Sequence, residues 1–178
     1  MAASRVPRVQ IPPGSFIYLL IFMSQKEFEK IVSFLESKNA VFEVLEHAPV
    51  FTSKDAAAVR GMHPSAGVKA ILLKSDSAKF VLACLPGDKK IDTKKLAAAI
   101  GADRLFLASS SEVLTVTGCE IGSVSPFGQI FGINAFFDKQ VFENEVVEFN
   151  VGLHTKSVRM ASKELLRVLS PKTLDFAI

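Results

Sequence analysis

Phe28, Ile31, Val32 and Leu35 recur at helical spacing, and Ser24 with Glu27 just before them has the form of a capping box. The pattern predicts a helix over 24–39. Val41 to Glu46 alternates as a short strand does, and His47-Ala-Pro-Val-Phe51 ends it because proline cannot continue a ladder. Thr52 or Ser53 then caps an alanine-rich helix reaching Gly61, with a loop through Gly67. The nearly continuous apolar runs 68–73 and 79–85 flank Ser75-Asp-Ser77 and predict a β-hairpin covered on both faces. After the turn at 86–90, Asp92 or Thr93 starts a helix carrying Leu96 and Ile100 that Gly101 stops. Residues 104–108 read as a strand, and Ser109 with Glu112 as a second capping box opening a helix to 115. Strands are expected over 129–134, 135–138 and 145–150, then a tight loop over 152–156, and a last helix capped by Ser162 and ended by Pro171.

Strands and helices therefore interleave without a regular βαβ repeat, and hairpin-length loops require antiparallel pairing. The expected class is α+β: a mixed, mostly antiparallel, barrel-like sheet flanked by short helices. One domain is expected over 24–170, between an N-terminal extension, 1–23, and a C-terminal tail, 171–178. The extension carries Arg5, Arg8 and no acid, which suits a leader; Met23 can itself serve as a start. Its apolar run, 16–22, is shorter than the roughly 20 residues that span a bilayer, so no membrane helix is expected.

Two places stand out from this pattern. Lys69 interrupts an apolar strand and shares a face with Ile71 and Leu73; its amine either enters a pocket or snorkels to water at the strand end. Gly118 to Gly128 holds three glycines and Pro126 among apolar residues, either an ordinary turn or a loop whose backbone N–H groups meet a ligand.

Composition narrows the chemistry. The 178 residues, 49% of them apolar, suffice for one real core, and fifteen phenylalanines without a tryptophan point to a core built on Phe. The formal charge of +3 is too mild to require nucleic acid, though a local basic face is compatible with it. Two cysteines without a CxxC or zinc-ligand spacing indicate neither disulfides nor a metal, fit a reducing compartment, and leave cytoplasmic localisation as the expectation, with mitochondrial targeting compatible with the leader. No nucleotide-binding glycine pattern occurs and no cofactor is expected. A Cys119–His154 dyad is conceivable, but no orienting acid accompanies it and Cys119 reads better as a packing residue.

His47-Ala-Pro-Val-Phe-Thr52, Gly67-Val-Lys69-Ala70, Leu72-Leu-Lys74, Gly87-Asp-Lys-Lys-Ile-Asp92, Gly122-Ser-Val-Ser-Pro-Phe-Gly128 and Gly152 followed by Ser157-Val158 together resemble the YbaK and prolyl-tRNA synthetase-associated editing domain family, in order and spacing across 24–169. The resemblance implies an aminoacyl-tRNA deacylase, freestanding or attached to a synthetase, that hydrolyses mischarged tRNA, chiefly tRNA-Pro. The logic is a second sieve, because a synthetase pocket cannot exclude amino acids smaller than the right one. It implies tRNA, through its acceptor end, and prolyl-tRNA synthetase as partners; a monomer is the separate expectation for the chain. The family's functional lysine matches Lys69, which would hold a phosphate or ribose hydroxyl rather than move a proton. The loop from Gly122 through Ser125 and Pro126 would present backbone amides to the ester carbonyl, and Gly122→Ala is expected to block the site while sparing stability. Asn150, Gly152 and Ser157 match small polar positions of the site, with His154 between them and Phe51 as a pocket wall. Ala70 departs from the asparagine that follows the lysine in alanine-specific editors, which argues against alanine as the sole substrate and is closer to relatives acting on serine, threonine or cysteine esters; a small residue such as serine, threonine or alanine is the expected cargo. Lys54, Arg60, Lys89, Lys90, Lys94, Lys95 and Lys156 are candidates for a basic tRNA face. The alternative is a non-catalytic tRNA or synthetase interaction module of the same fold.

Overall fold

The computed structural model describes residues 15–178, with side chains from 22 onward; the leader reading of the first residues lies outside them. The first helix, α1, spans Ser15–Ser37 and packs Ile31 and Leu35 into the core. It begins nine residues before the expected capping box, which corrects that reading. Ser24 and Glu27 lie inside the helix, both buried, and Glu27 pairs with Lys30 at 2.6 Å instead of capping. The apolar run before Met23 prolongs the helix, and no helix of the described residues is long and apolar enough to cross a membrane.

The other helices are α2, Ser53–Arg60; α3, Thr93–Ile100; α4, Ser110–Thr117; and α5, Ser162–Leu169. Their ends follow sequence chemistry. Thr52 caps α2 by accepting from the Asp55 N–H, Asp92 caps α3, and Ser109 with Glu112 forms a complete capping box on α4. Ser162 is already inside α5, whose cap position is Ala161.

Eight strands form one sheet: β1 (Phe42–Glu46), β2 (Gly67–Ser75), β3 (Phe80–Pro86), β4 (Leu105–Leu107), β5 (Asn134–Asp138), β6 (Val146–Asn150), β7 (Lys156–Ala161) and β8 (Lys172–Leu174). They run in the order β1-β7-β6-β2-β3-β5-β8, with β4 also on β2. Four pairings are antiparallel and three parallel, so the sheet is mixed as expected.

The central hairpin, β2 and β3, is apolar on both faces because both are covered. Val68, Leu72, Leu82 and Cys84 face a core with α1, α4, α5, Phe127, Phe137 and Phe149. Leu73, Val81, Ala83 and Leu85 face a second core with Leu96 of α3 and Phe176. The segment read as a C-terminal tail therefore belongs to the fold: β8 pairs with β5, and the buried Asp138 carboxylate accepts the N–H groups of Phe176 and Ala177 at 2.7 Å each.

Two further expectations change. Residues 128–131 form a 3-10 turn rather than a strand, since Gly128 sits where a Cβ would lie 2.7 Å from the Ile133 carbonyl and Gly132 turns back with φ +69°. Strand β7 was not anticipated, because Lys156 and Arg159 obscure the buried Val158 and Met160.

Candidate functional site

One edge of β2 is interrupted. β6 covers it at Gly67 and Val68 and β4 covers it from Leu73 to Ser75, leaving Lys69 to Leu72 without a strand neighbour on that side. A cavity of about 340 Å³ opens at this gap, within the usual range for small-molecule sites. Its walls come from the 50–53 segment and α2, from the β2 edge, from Leu107 and Ala108, from Ile121, Gly122 and Val124, and from Glu148 and Asn150 on β6.

Lys69 lies on this wall. The register of β2 with β6 puts Gly67 opposite Glu148, so Lys69, Glu148 and Asn150 share one sheet face. The Lys69 ammonium donates to the Gly87 carbonyl at 3.1 Å and to the Lys89 carbonyl. Burial lowers its pKa from the ordinary lysine value, and Asp88 nearby opposes that shift. Both snorkelling and burial thus have a share: the stem is half-buried and the charge is held by backbone oxygens.

The glycine loop is pinned from β6. Asn150 Nδ2 donates to the Gly122 carbonyl at 2.5 Å, and the Gly152 N–H donates to the Ser123 carbonyl at 2.9 Å. The Ser123 N–H is used within the loop, donating to Glu120. Among the described residues, the N–H groups of Gly122 and Val124 meet no acceptor, and both residues line the cavity. Gly122 holds φ +90°, and an added Cβ would lie 2.9 Å from the Phe51 carbonyl. The expectation that Gly122→Ala spares stability is therefore corrected, since the methyl meets backbone rather than open space.

Of the residues singled out from sequence, Lys69, Gly122, Phe51 and Asn150 line the cavity together. Phe51 is exposed at its mouth, with its ring 4.5 Å from that of His154. The other residues lie behind the wall. Ser125 is fully buried with its hydroxyl unpartnered among the described residues, and Pro126 is buried beside it. Gly152 has φ +91° and rests on α1, where a Cβ would come within 3.0 Å of the Ser24 carbonyl. His154 donates from Nδ1 to the Val50 carbonyl at 2.8 Å and sets Nε2 3.5 Å from Glu120.

Ser157 is fully buried and bonds His47 Nε2 at 2.7 Å, while His47 Nδ1 donates to the Ala48 carbonyl. The pair has the form of a serine–histidine dyad, but neither residue lines the cavity and the bond ties β7 to the 47–48 turn. Cys119 is closed off, its thiol pushed up to about 12 by burial, which removes the cysteine reading.

Three titratable lining residues, Arg60, His63 and Glu148, were not assigned to the site from sequence. Arg60 was placed on a basic surface, yet its side chain is 5% exposed and inserted between Glu148 and Asn150. Glu148 is 1% exposed and paired with Arg159 at 2.5 Å. Its position between Val147 and Phe149 was the same anomaly as Lys69 and could have been found by the same argument. His63 lies at the cavity, exposed; its Nδ1 accepts from the Ser65 N–H, so the neutral ring carries its proton on Nε2 and presents a donor. Of the remaining basic candidates, Lys95 and Lys156 are engaged in ion pairs with Asp175 and Glu46.

Residues 47–168 match the model of the aminoacyl-tRNA editing domain. The multifunctional Ser/Thr-tRNA deacylase ProXp-y of Escherichia coli is 31% identical over 152 residues, which cover 83% of this chain and 91% of the relative. The proline–tRNA ligase of Bacillus licheniformis is 37% identical over 93 residues, covering 52% of this chain but 16% of the ligase. A solved structure described as a proposed trans-editing enzyme for prolyl tRNA synthetase superposes with a TM-score of 0.74 at 24% identity, over 85% of this chain and 97% of the other, and shares the fold. The interrupted sheet, its cavity and the matched sequence together place this chain in the aminoacyl-tRNA editing domain family.

Proposed function

We propose that the chain hydrolyses the ester joining a small wrong amino acid, serine or threonine before alanine or cysteine, to the terminal ribose of tRNA-Pro. The observation that carries the reading is that Lys69 lines one small cavity together with Gly122 and Val124, whose N–H groups meet no acceptor among the described residues. Similarity to a Ser/Thr-tRNA deacylase over nearly that protein's whole length supports the reaction and the small hydroxylated residues. The shared segment with a proline–tRNA ligase supports tRNA-Pro.

Water attacks the ester carbonyl, the C–O bond to the ribose breaks, and the ribose oxygen takes the proton, giving free amino acid and uncharged tRNA. Charge developing on the carbonyl oxygen is met by the Gly122 and Val124 amides, whose fixed dipoles need no reorganisation. Lys69 holds a phosphate or ribose hydroxyl of the acceptor end and so fixes the ester. No lining side chain is assigned as the base: Glu148 is bonded to Arg159 and faces Arg60, and His63 accepts the Ser65 N–H at Nδ1. The water is activated instead by the ribose hydroxyl next to the ester. Exposed Lys54, Lys90 and Lys94 contact tRNA phosphates beyond the cavity.

The test charges tRNA-Pro separately with serine, threonine, alanine, cysteine and proline. Release of the small wrong residues with proline left in place supports the reading, and binding without release of any of them would establish the interaction module instead.

A further inference from the structure

The buried Arg60 lies at the meeting point of three cavity walls. It ends α2, it faces Glu148 on β6 with Nε 3.7 Å from the carboxylate, and its Nη2 donates to Asn150 Oδ1 at 2.5 Å. Arg159 closes the cluster from the far side, pairing with Glu148 and donating to the Arg60 carbonyl at 3.3 Å. Burial lowers the Arg60 pKa and Glu148 offsets part of that, so the charge is retained at this depth by its anion.

We infer that Arg60 is a positioning residue for the deacylation site, acting through Asn150 on the Gly122 peptide. Arg60 only donates, so the Asn150 atom facing it must be the amide oxygen, and the amide nitrogen is thereby turned to the Gly122 carbonyl, which only accepts. The two bonds fix the Asn150 amide in one orientation. With its carbonyl held by Asn150 and the next N–H held by Glu120, the Gly122–Ser123 peptide cannot rotate, and the neighbouring Gly122 and Val124 amides keep their places on the cavity wall. Asn150 thus serves the loop, whereas the sequence resemblance had assigned it to the substrate.

The inference rests on the deacylase reading, and two variants separate it from a merely structural role. Asn150→Asp keeps an acceptor for Arg60 but removes the donor to Gly122. Arg60→Lys keeps the cation opposite Glu148 but lacks the fork that reaches Asn150 as well. Single-turnover deacylation of seryl- and alanyl-tRNA-Pro is expected to slow on the order of tenfold to a hundredfold in each variant, as for a weakened oxyanion donor. The loss should be equal for the two amino acids, with apparent substrate affinity within about twofold and the double variant no slower than the worse single. Unchanged rates in both variants, or a loss confined to affinity or to one amino acid, would overturn the inference. Amide hydrogen exchange of Ser123 provides a readout independent of turnover. Faster exchange in both folded variants supports the coupling even if the wild-type chain releases no amino acid, and unchanged exchange refutes it.

Discussion

The Lys69 ammonium donates to the Gly87 carbonyl across 3.1 Å, so this strand cation is held at the cavity by backbone oxygens, whereas Lys74 farther along the same strand pairs with the Glu112 carboxylate. Because burial lowers its pKa, the charge is lost at a lower pH than that of an ordinary lysine, about 10.4. If the charge holds the substrate, enzyme-dependent release should decline as pH rises through that depressed value. Stability moves the opposite way: in the window between the folded and unfolded values the unfolded chain binds more protons, so folding is favoured as pH rises. Rates corrected for spontaneous ester hydrolysis check the first statement, and Lys69→Arg should remove the alkaline decline from whatever activity remains.

Gly122→Ala is expected to lose both activity and stability. The backbone at φ +90° disfavours any side chain, and the methyl would lie 2.9 Å from the Phe51 carbonyl. A cost of about 1–3 kcal/mol is expected from the strained conformation. Denaturant unfolding measures it; an unfolding midpoint equal to that of the wild-type chain would show that the loop relaxes freely.

Ser157→Ala and Cys119→Ser should both retain deacylation. Ser157 and His47 form a part-buried structural bond, whose removal costs about 0.5–1.5 kcal/mol, the net worth of a typical hydrogen bond. Cys119 is enclosed with its thiol at about 12, so alkylation of the native chain should be slow. Loss of turnover in a folded Ser157→Ala chain would return the serine–histidine pair to the chemistry.

Acid should loosen the α4 corner. Glu112 accepts from Lys74 and from Ser109, which holds its pKa at about 2, below the usual glutamate value. A carboxylate with a depressed folded value contributes stability that is present above the unfolded value and lost as pH falls through the folded one. Stability should therefore fall between about pH 4.5 and 2, and the Glu112 share of that fall should vanish in Glu112→Gln. Thermal unfolding across this range checks it.

The hairpin, the helix caps at Thr52, Asp92 and Ser109, and the exceptional Lys69 were legible because each is a local departure with a local cause. What escaped the sequence depends on distant partners. Arg60 looks like a surface cation until Glu148, far along the chain, is placed against it, and Asn150 looks like a substrate ligand until both of its neighbours are known. The apolar residues of 128–131 suit a strand, and the turn they form instead depends on the close approach of Gly128 to Ile133 and Ala135 and on Gly132 at positive φ. The start of α1 was misplaced because a capping-box pattern inside a longer helix has no signal of its own.

The most direct measurement is single-turnover release of serine from seryl-tRNA-Pro by the wild-type chain and by Lys69→Ala. Release by the wild-type chain, a loss on the order of a hundredfold or more in the variant and an unchanged far-UV spectrum are expected, since the hydrogen bonds of the Lys69 ammonium go to loop carbonyls. Full release by a folded Lys69→Ala chain would contradict it.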